Sequence, residues 1–193
     1  MSRDELLDIV DENDVIIGQD TRENIHKKGL LHREIHIWFI TPKHEIIFQH
    51  RTKDKDTYPD LLDATVGGHV DLGLTYDEAA LKEMEEETGI KADISDLHLI
   101  KKLRRRSEDP VTGKINNTFR PQYAYLFKGK ISDLKIEKGK AVGFEAWEID
   151  KLMNLSEAEK KRFIPVNLED GIAGLFRDCE QLLEKEQASK ISP

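Results

Sequence analysis

The sequence predicts an α/β fold: a mixed β-sheet held between helices in an α/β/α sandwich, closed by a C-terminal helix. Three observations predict it. Residues 34–40 read EIHIWFI, with Ile35, Ile37 and Phe39 on one side and His36, Trp38 and Ile40 on the other, so both faces are largely apolar and the strand is central. Thr75 followed by Glu78 reads as a capping box and Gly89 as a stop, which puts a helix over 76–88. The chain ends in an amphipathic stretch opening at Asn167 or Leu168 and running to about Glu184.

The remaining elements follow in order. Residues 6–10 and 15–18 flank Asp11-Glu12-Asn13-Asp14 and form a hairpin, expected at an edge. Residues 21–29 (TRENIHKKG) open on a capping residue and end in glycine, giving a short helix or turn. After turn residues 41–44, the strand 45–51 pairs back on the central one. Residues 52–59 are a polar loop, and 61–66 lead as a strand into Gly67-Gly68. Strands at 94–103 and 118–127 are separated by a basic loop, RRRSEDPVTGKINN, and 142–149 is another strand. Ser156 caps a short helix before the closing one.

No repeat, low-complexity stretch or Pro/Gly-rich linker divides the 193 residues, so a single domain over 1–193 is expected. Within it lie an N-terminal hairpin and helix over about 1–30, a central motif at 68–90, and helices over about 150–187. Charged residues make up 35% and the formal net charge is -8, which disfavours a nucleic-acid partner; an anionic substrate would need a metal or arginine to approach. The single Cys179 rules out an internal disulfide framework and a thiolate zinc cluster. The acidic start, MSRDELLDIVDEND, lacks a signal-peptide core, and no run is apolar enough to span a bilayer, so the expected location is cytoplasmic with no membrane partner. Oligomeric state is open, and a homodimer is compatible with the sequence.

The chemistry concentrates in the helix at 76–88. Glu83, Glu86 and Glu87 fall within an arc of about 100°, with Ala80, Leu81, Met84 and Thr88 on the neighbouring side, while Glu85 points away to the surface. A charge run is usually a solvated face, offset by bases four residues on. Here the positions four beyond Glu83 and Glu86 hold Glu87 and Ile90. Crowded carboxylates repel, and a divalent cation with oxygen preference relieves them. Gly67-Gly68 permits a tight turn whose carbonyl can face that ion.

This stretch resembles the signature of the Nudix hydrolases: Gly, five residues, Glu, seven residues, then Arg-Glu-apolar-any-Glu-Glu-any-Gly-apolar. Gly68, Glu83, Met84, Glu86, Glu87, Gly89 and Ile90 stand in register, whereas Leu74 replaces the first glutamate and Lys82 the arginine. The resemblance implies Mg²⁺ or Mn²⁺ on Glu83, Glu86 and Glu87 with the Gly68 carbonyl. It also implies Glu86 as the group that orients or deprotonates water, and a small-molecule diphosphate linked to another moiety as substrate. Many members add a glutamate before a late strand; aligned on Trp147, that position is Ala141, with Glu145 close by.

Over residues 15–150 the chain looks most like the branch that includes type I isopentenyl-diphosphate isomerases, through VDENDVIIG, LLHRE, FQHRTKDKDTYPDLLD and GGH. Those enzymes carry a cysteine just before the glycine-histidine pair, where this chain has Gly67, so isomerisation is disfavoured. They also bind metal through histidines, which brings in His26, His32, His36 and His69, although a histidine on a strand is more often packed or hydrogen-bonded. His36 shares a face with Trp38 and reads as core or pocket wall. Arg51, Arg104, Arg105, Arg106 and Arg120 are candidate phosphate partners. Trp38, Tyr58 and Phe119 either stack on a base or pack in the core. The rival to a hydrolase is a non-catalytic ligand sensor on the same fold, a reading that Leu74, Lys82 and Ala141 keep open.

Overall fold

The structure, a computed structural model, describes residues 4–55 and 57–189. Its strands are β1 (Leu6–Val10), β2 (Ile16–Thr21), β3 (His32–Ile40), β4 (Glu45–Arg51), β5 (Leu62–Asp63), β6 (Val66–His69), β7 (Leu97–Glu108), β8 (Ile115–Leu126) and β9 (Ala141–Glu148). Its helices are α1 (Arg22–Lys28), α2 (Tyr76–Thr88), α3 (Ile149–Leu152), α4 (Glu157–Lys160) and α5 (Asp170–Ser189).

The main sheet runs β5-β4-β3-β8-β7, with β6 also on β3 and β9 also on β4. It is mixed, because β3 and β8 pair in parallel while the other partners are antiparallel. The two faces of β3 divide as alternation requires. Ile35, Ile37 and Phe39 are buried with Ile47, Val66 and the α2 residues Ala79, Ala80 and Met84. Trp38 and Ile40 are buried with Ile46, Phe48 and the α5 residues Leu175, Phe176, Cys179 and Leu183. At roughly 1.5–3 kcal/mol for each large side chain buried, these layers fix α2 on one face of the sheet and α5 on the other. Trp38 is core, its indole N–H donating to Gln122 Oε1 at 2.8 Å.

Three expectations are corrected. The β1–β2 hairpin is its own two-stranded sheet rather than an edge of the main one. It is tied across by Val10 N donating to Leu31 O at 2.9 Å and Arg33 Nε donating to Asp14 Oδ1 at 2.7 Å. The expected strand at 61–66 is split into β5 and β6 around Ala64 and Thr65, with the Thr65 hydroxyl accepting from Phe39 N at 2.9 Å. The basic stretch is strand rather than loop. Asp109 Oδ1 accepts from Val111 N at 2.8 Å and Thr112 N at 3.2 Å, and Gly113 takes φ 67, so the turn is tight and Arg104, Arg105 and Arg106 pair with Phe119, Thr118 and Asn117.

Candidate metal centre and active-site cleft

The turn from β6 into α2 builds the centre. Thr75 Oγ1 accepts from Glu78 N at 3.3 Å and Glu78 Oε2 accepts from Thr75 N at 2.8 Å, while Gly89 closes the helix at φ 72. Between these caps Glu83 and Glu87, one helical turn apart, lie on the buried side with Met84 and Thr88. Both are 1% exposed, whereas the Glu86 side chain is 48% exposed. The helical arc therefore divides, with two carboxylates turned toward the sheet and one toward solvent. Glu85 pairs with Lys91 at 2.9 Å on the outside, as expected for a surface residue.

Gly68 abuts Glu83 directly. A Cβ there would sit 2.4 Å from Glu83 Cδ and 2.6 and 2.7 Å from its oxygens. Only glycine lets the backbone approach a buried carboxylate this closely. Glu87 Oε2 accepts from Gln49 Nε2 at 2.9 Å and from Gly67 N at 3.3 Å, which fixes its orientation. Burial pushes the Glu87 carboxyl up to about 7, with Lys140 pulling it down, and burial likewise raises Glu83.

The carboxylates are not without cations, which corrects the reading of unrelieved repulsion. Lys140 Nζ donates to Glu83 Oε2 at 3.0 Å and Glu87 Oε1 at 2.9 Å, and lies 3.1 Å from Glu137 Oε2. Burial would depress this ammonium, but the Glu87 and Glu83 charges outweigh it and raise its pKa. Lys82 bridges Asp71 at 2.7 Å and Glu86 at 3.4 Å. The hydrogen bond to Asp71 leads in raising the Lys82 pKa, so it stays charged and holds Glu86 from the position where the family places arginine. Leu74 packs against the apolar layer under α2. Ala141 is buried opposite Arg51, and Glu145 is turned to Arg162 at 2.7 Å, so neither supplies a further carboxylate to the centre.

The residues fit a hard divalent ion. The donor set is all oxygen, Gly68 leaves room beside Glu83, and a protein cation already stands between Glu83 and Glu87. Next to them opens a cleft of about 140 Å³ whose walls include Gln49, Arg51, Tyr58, Asp63, Gly68 and Arg120. Arg51 Nη1 donates to Asp63 Oδ2 at 3.0 Å and its Nη2 to Thr57 O at 2.9 Å, which aims the guanidinium along the wall. Arg120 is buried, 3.2 Å from His36 Nε2 and 3.7 Å from Glu34, and its Nε has no hydrogen-bond partner among the described residues. Burial, then the Arg120 charge, hold His36 down to about 3, so it is a neutral wall.

Arg104, Arg106 and Phe119 are not brought to the cleft. Arg104 is turned to Glu12, with its Nε 3.2 Å from Glu12 Oε2, and stacks over Phe119; Arg106 is exposed on β7, and Arg105 pairs with Glu169 at 2.8 Å. Strand alternation separates them, since Phe119 and Arg120 point to opposite faces of β8. Sequence reasoning missed Lys140, Gln49 and Asp63, because no local spacing links them to the glutamates.

A second donor cluster lies along the same cleft, which His26, Glu34 and His69 line. Donor atoms of His26, His32 and His69 fall within 4.8 Å of one another. His26 Nε2 and His69 Nε2 are 3.1 Å apart, and Glu34 Oε1 is 3.5 Å from His69 Nε2. Burial pushes His26 down to about 4 and His69 well below the usual imidazole range.

Residues 30–169 match the NUDIX domain. A Nudix hydrolase of Streptomyces coelicolor is 46% identical over 88 residues, 46% of this chain and 49% of that protein. One of Clostridium acetobutylicum is 32% identical over 152 residues, 77% of this chain and 72% of that protein. The chain thus spans about half the length of the first relative and most of the second. Among solved structures, DR0079 from Deinococcus radiodurans has a TM-score of 0.62 at 22% identity over 91% of this chain and 99% of that chain, a likeness of fold. With the family match covering most of the sequence, and Gly68, Glu83 and Glu87 gathered at one centre beside the exposed Glu86, the chain belongs to the Nudix family.

Proposed function

We propose that the protein is a metal-dependent pyrophosphohydrolase that cleaves a diphosphate linked to another moiety, of the nucleoside diphosphate type, by attack of water on phosphorus. The observation that carries this reading is the buried Glu83–Glu87 pair, with Glu83 against Gly68 and Lys140 already between the two, beside an arginine-lined cleft that Glu87 helps to line. Mg²⁺ or Mn²⁺ held there by Glu83, Glu86 and Glu87 would neutralise charge on diphosphate oxygens and lower the pKa of the attacking water.

The chain's own groups do the rest. Glu86 is exposed and, among the described residues, paired with Lys82 alone at 3.4 Å, which leaves a carboxylate oxygen to orient water and take its proton. Gln49 and the Gly67 amide keep Glu87 fixed as a ligand. Arg51 and Arg120 present planar guanidinium groups to the cleft, suited to phosphate oxygens, and the buried Arg120 Nε is a donor awaiting an acceptor. Tyr58 lines the same wall for the linked moiety.

The test is release of phosphate products from a panel of nucleoside diphosphate derivatives with Mg²⁺ or Mn²⁺. Turnover abolished by chelation is expected. Tight ligand binding with no turnover across the panel would replace the hydrolase with the sensor reading.

The histidine cluster supports a second metal position, in line with the resemblance to the isomerase branch. Imidazole nitrogens with Glu34 suit Mn²⁺ or Zn²⁺ better than Mg²⁺. Mn²⁺ stoichiometry should fall by one in His69→Ala, and an unchanged stoichiometry would remove this position.

A further inference from the structure

Lys140 is placed by the fold at a point that the carboxylate centre reserves for positive charge. It follows a turn in which Gly139 takes φ 83, its backbone N donates to Glu137 O at 3.1 Å, and its carbonyl accepts from Thr52 N at 3.2 Å beside the bulge that ends the β4–β9 pairing. These contacts anchor the main chain, and the side chain then reaches inward until only about a tenth of it is exposed. Its Nζ lies 3.0 Å from Glu83 Oε2 and 2.9 Å from Glu87 Oε1, bridging the two buried ligand carboxylates. The remaining Glu87 oxygen is taken by Gln49 and the Gly67 amide, so the ammonium holds one oxygen of Glu83 and the Glu87 oxygen that is left for a metal.

A divalent ion bound to both carboxylates would sit about 2.0–2.6 Å from the same oxygens, too near the ammonium for two like charges to share the space. A third carboxylate already reaches the ammonium: Glu137 Oε2, three residues before Lys140 on a side chain that is 35% exposed, is 3.1 Å from Nζ.

We propose that Lys140 is a tethered cation that competes with the divalent metal for Glu83 and Glu87, and that metal loading displaces its ammonium from both while its contact with Glu137 is kept. This rests on the metal-site reading given above. It adds that the chain carries an internal competitor setting how tightly the free protein holds metal. In the metal-free chain the same lysine keeps two buried carboxylates compensated and correctly oriented.

The experiment is calorimetric titration of the full chain with Mn²⁺ and no other ligand, comparing Lys140→Met with its parent, both carrying His69→Ala so that the histidine cluster does not contribute. Removal of the competitor should tighten Mn²⁺ binding at the carboxylate centre tenfold or more. A lysine that merely supports the structure would have the opposite effect, since its loss would loosen the ligands. Equal or weaker binding by a folded Lys140→Met therefore overturns the proposal and leaves the metal site standing. Absence of Mn²⁺ binding in both proteins, by contrast, sinks the proposal together with the metal-site reading. If Lys140→Met does not fold, ¹⁵N spectra of the lysine ammonium groups decide it. The Lys140 resonance, assigned by its loss in Lys140→Arg, should shift when wild type is titrated with Mg²⁺, and a resonance indifferent to saturating Mg²⁺ overturns the proposal.

Discussion

Replacing Gly68 by alanine adds one methyl group at the most confined point of the centre. The new Cβ would stand 2.4 Å from Glu83 Cδ and 2.6 and 2.7 Å from its oxygens, against ordinary contact beginning at 3.4 Å. The carboxylate must therefore retreat by about 1 Å, a misplacement that costs on the order of 10²-fold in rate when it affects a group that positions the reaction. The backbone itself tolerates alanine. Gly68 is not among the positive-φ glycines, and it sits in β6 paired with Ile35, where alanine lowers the entropy of the unfolded chain. We expect a melting temperature within a few degrees of wild type, weakened Mn²⁺ binding by calorimetry, and hydrolysis slowed by about 10². A folded Gly68→Ala protein with wild-type Mn²⁺ affinity and rate would show that Glu83 is not a ligand and that the close approach has no part in the chemistry.

Other perturbations separate ligands from support. Glu87→Gln removes the charge of a proposed ligand and should lower the rate by about 10² or more while the chain stays folded; wild-type turnover would show that this buried carboxylate has no part in the chemistry. That substitution also has a pH signature. The folded carboxyl titrates near 7, above its ordinary 4.5, so folding takes up a proton between the two, and this group makes the metal-free protein less stable as pH rises through that window. Melting curves of Glu87→Gln should show a smaller decline, the part that remains coming from Glu83, which burial also raises. Lys82→Arg should leave activity unchanged or modestly raised, because a planar fork can hold both Asp71 and Glu86; a fall of tenfold or more would show that the compact ammonium is required. Cys179 is fully buried and its thiol is pushed up to about 12, so an aromatic disulfide reagent at pH 8 should react only after unfolding. Rapid reaction of the native protein would contradict the packing of α5.

Local periodicity and capping made much of the fold legible. The limits of α2 follow from Thr75, Glu78 and Gly89, which act within a few residues of one another, and the double-sided burial of β3 follows from alternation alone. The spacing of Gly68, Glu83, Glu86 and Glu87 marked the candidate centre for the same reason: one helix and the turn before it carry all four residues. The split among the three glutamates lay beyond the sequence. It depends on how α2 is rotated against β3 and β6, which turns Glu83 and Glu87 inward and leaves Glu86 in solvent. Strand register in the β7–β8 hairpin decided that Arg104, Arg106 and Phe119 face away from the cleft while Arg120 faces into it. Lys140 is the clearest case. It meets Glu83 and Glu87 across 57 and 53 residues of chain, through a bulged β4–β9 pairing that no local pattern encodes. A charge that far away in sequence joins a site only when long-range strand pairing brings it there, so its role was decided by the tertiary structure alone.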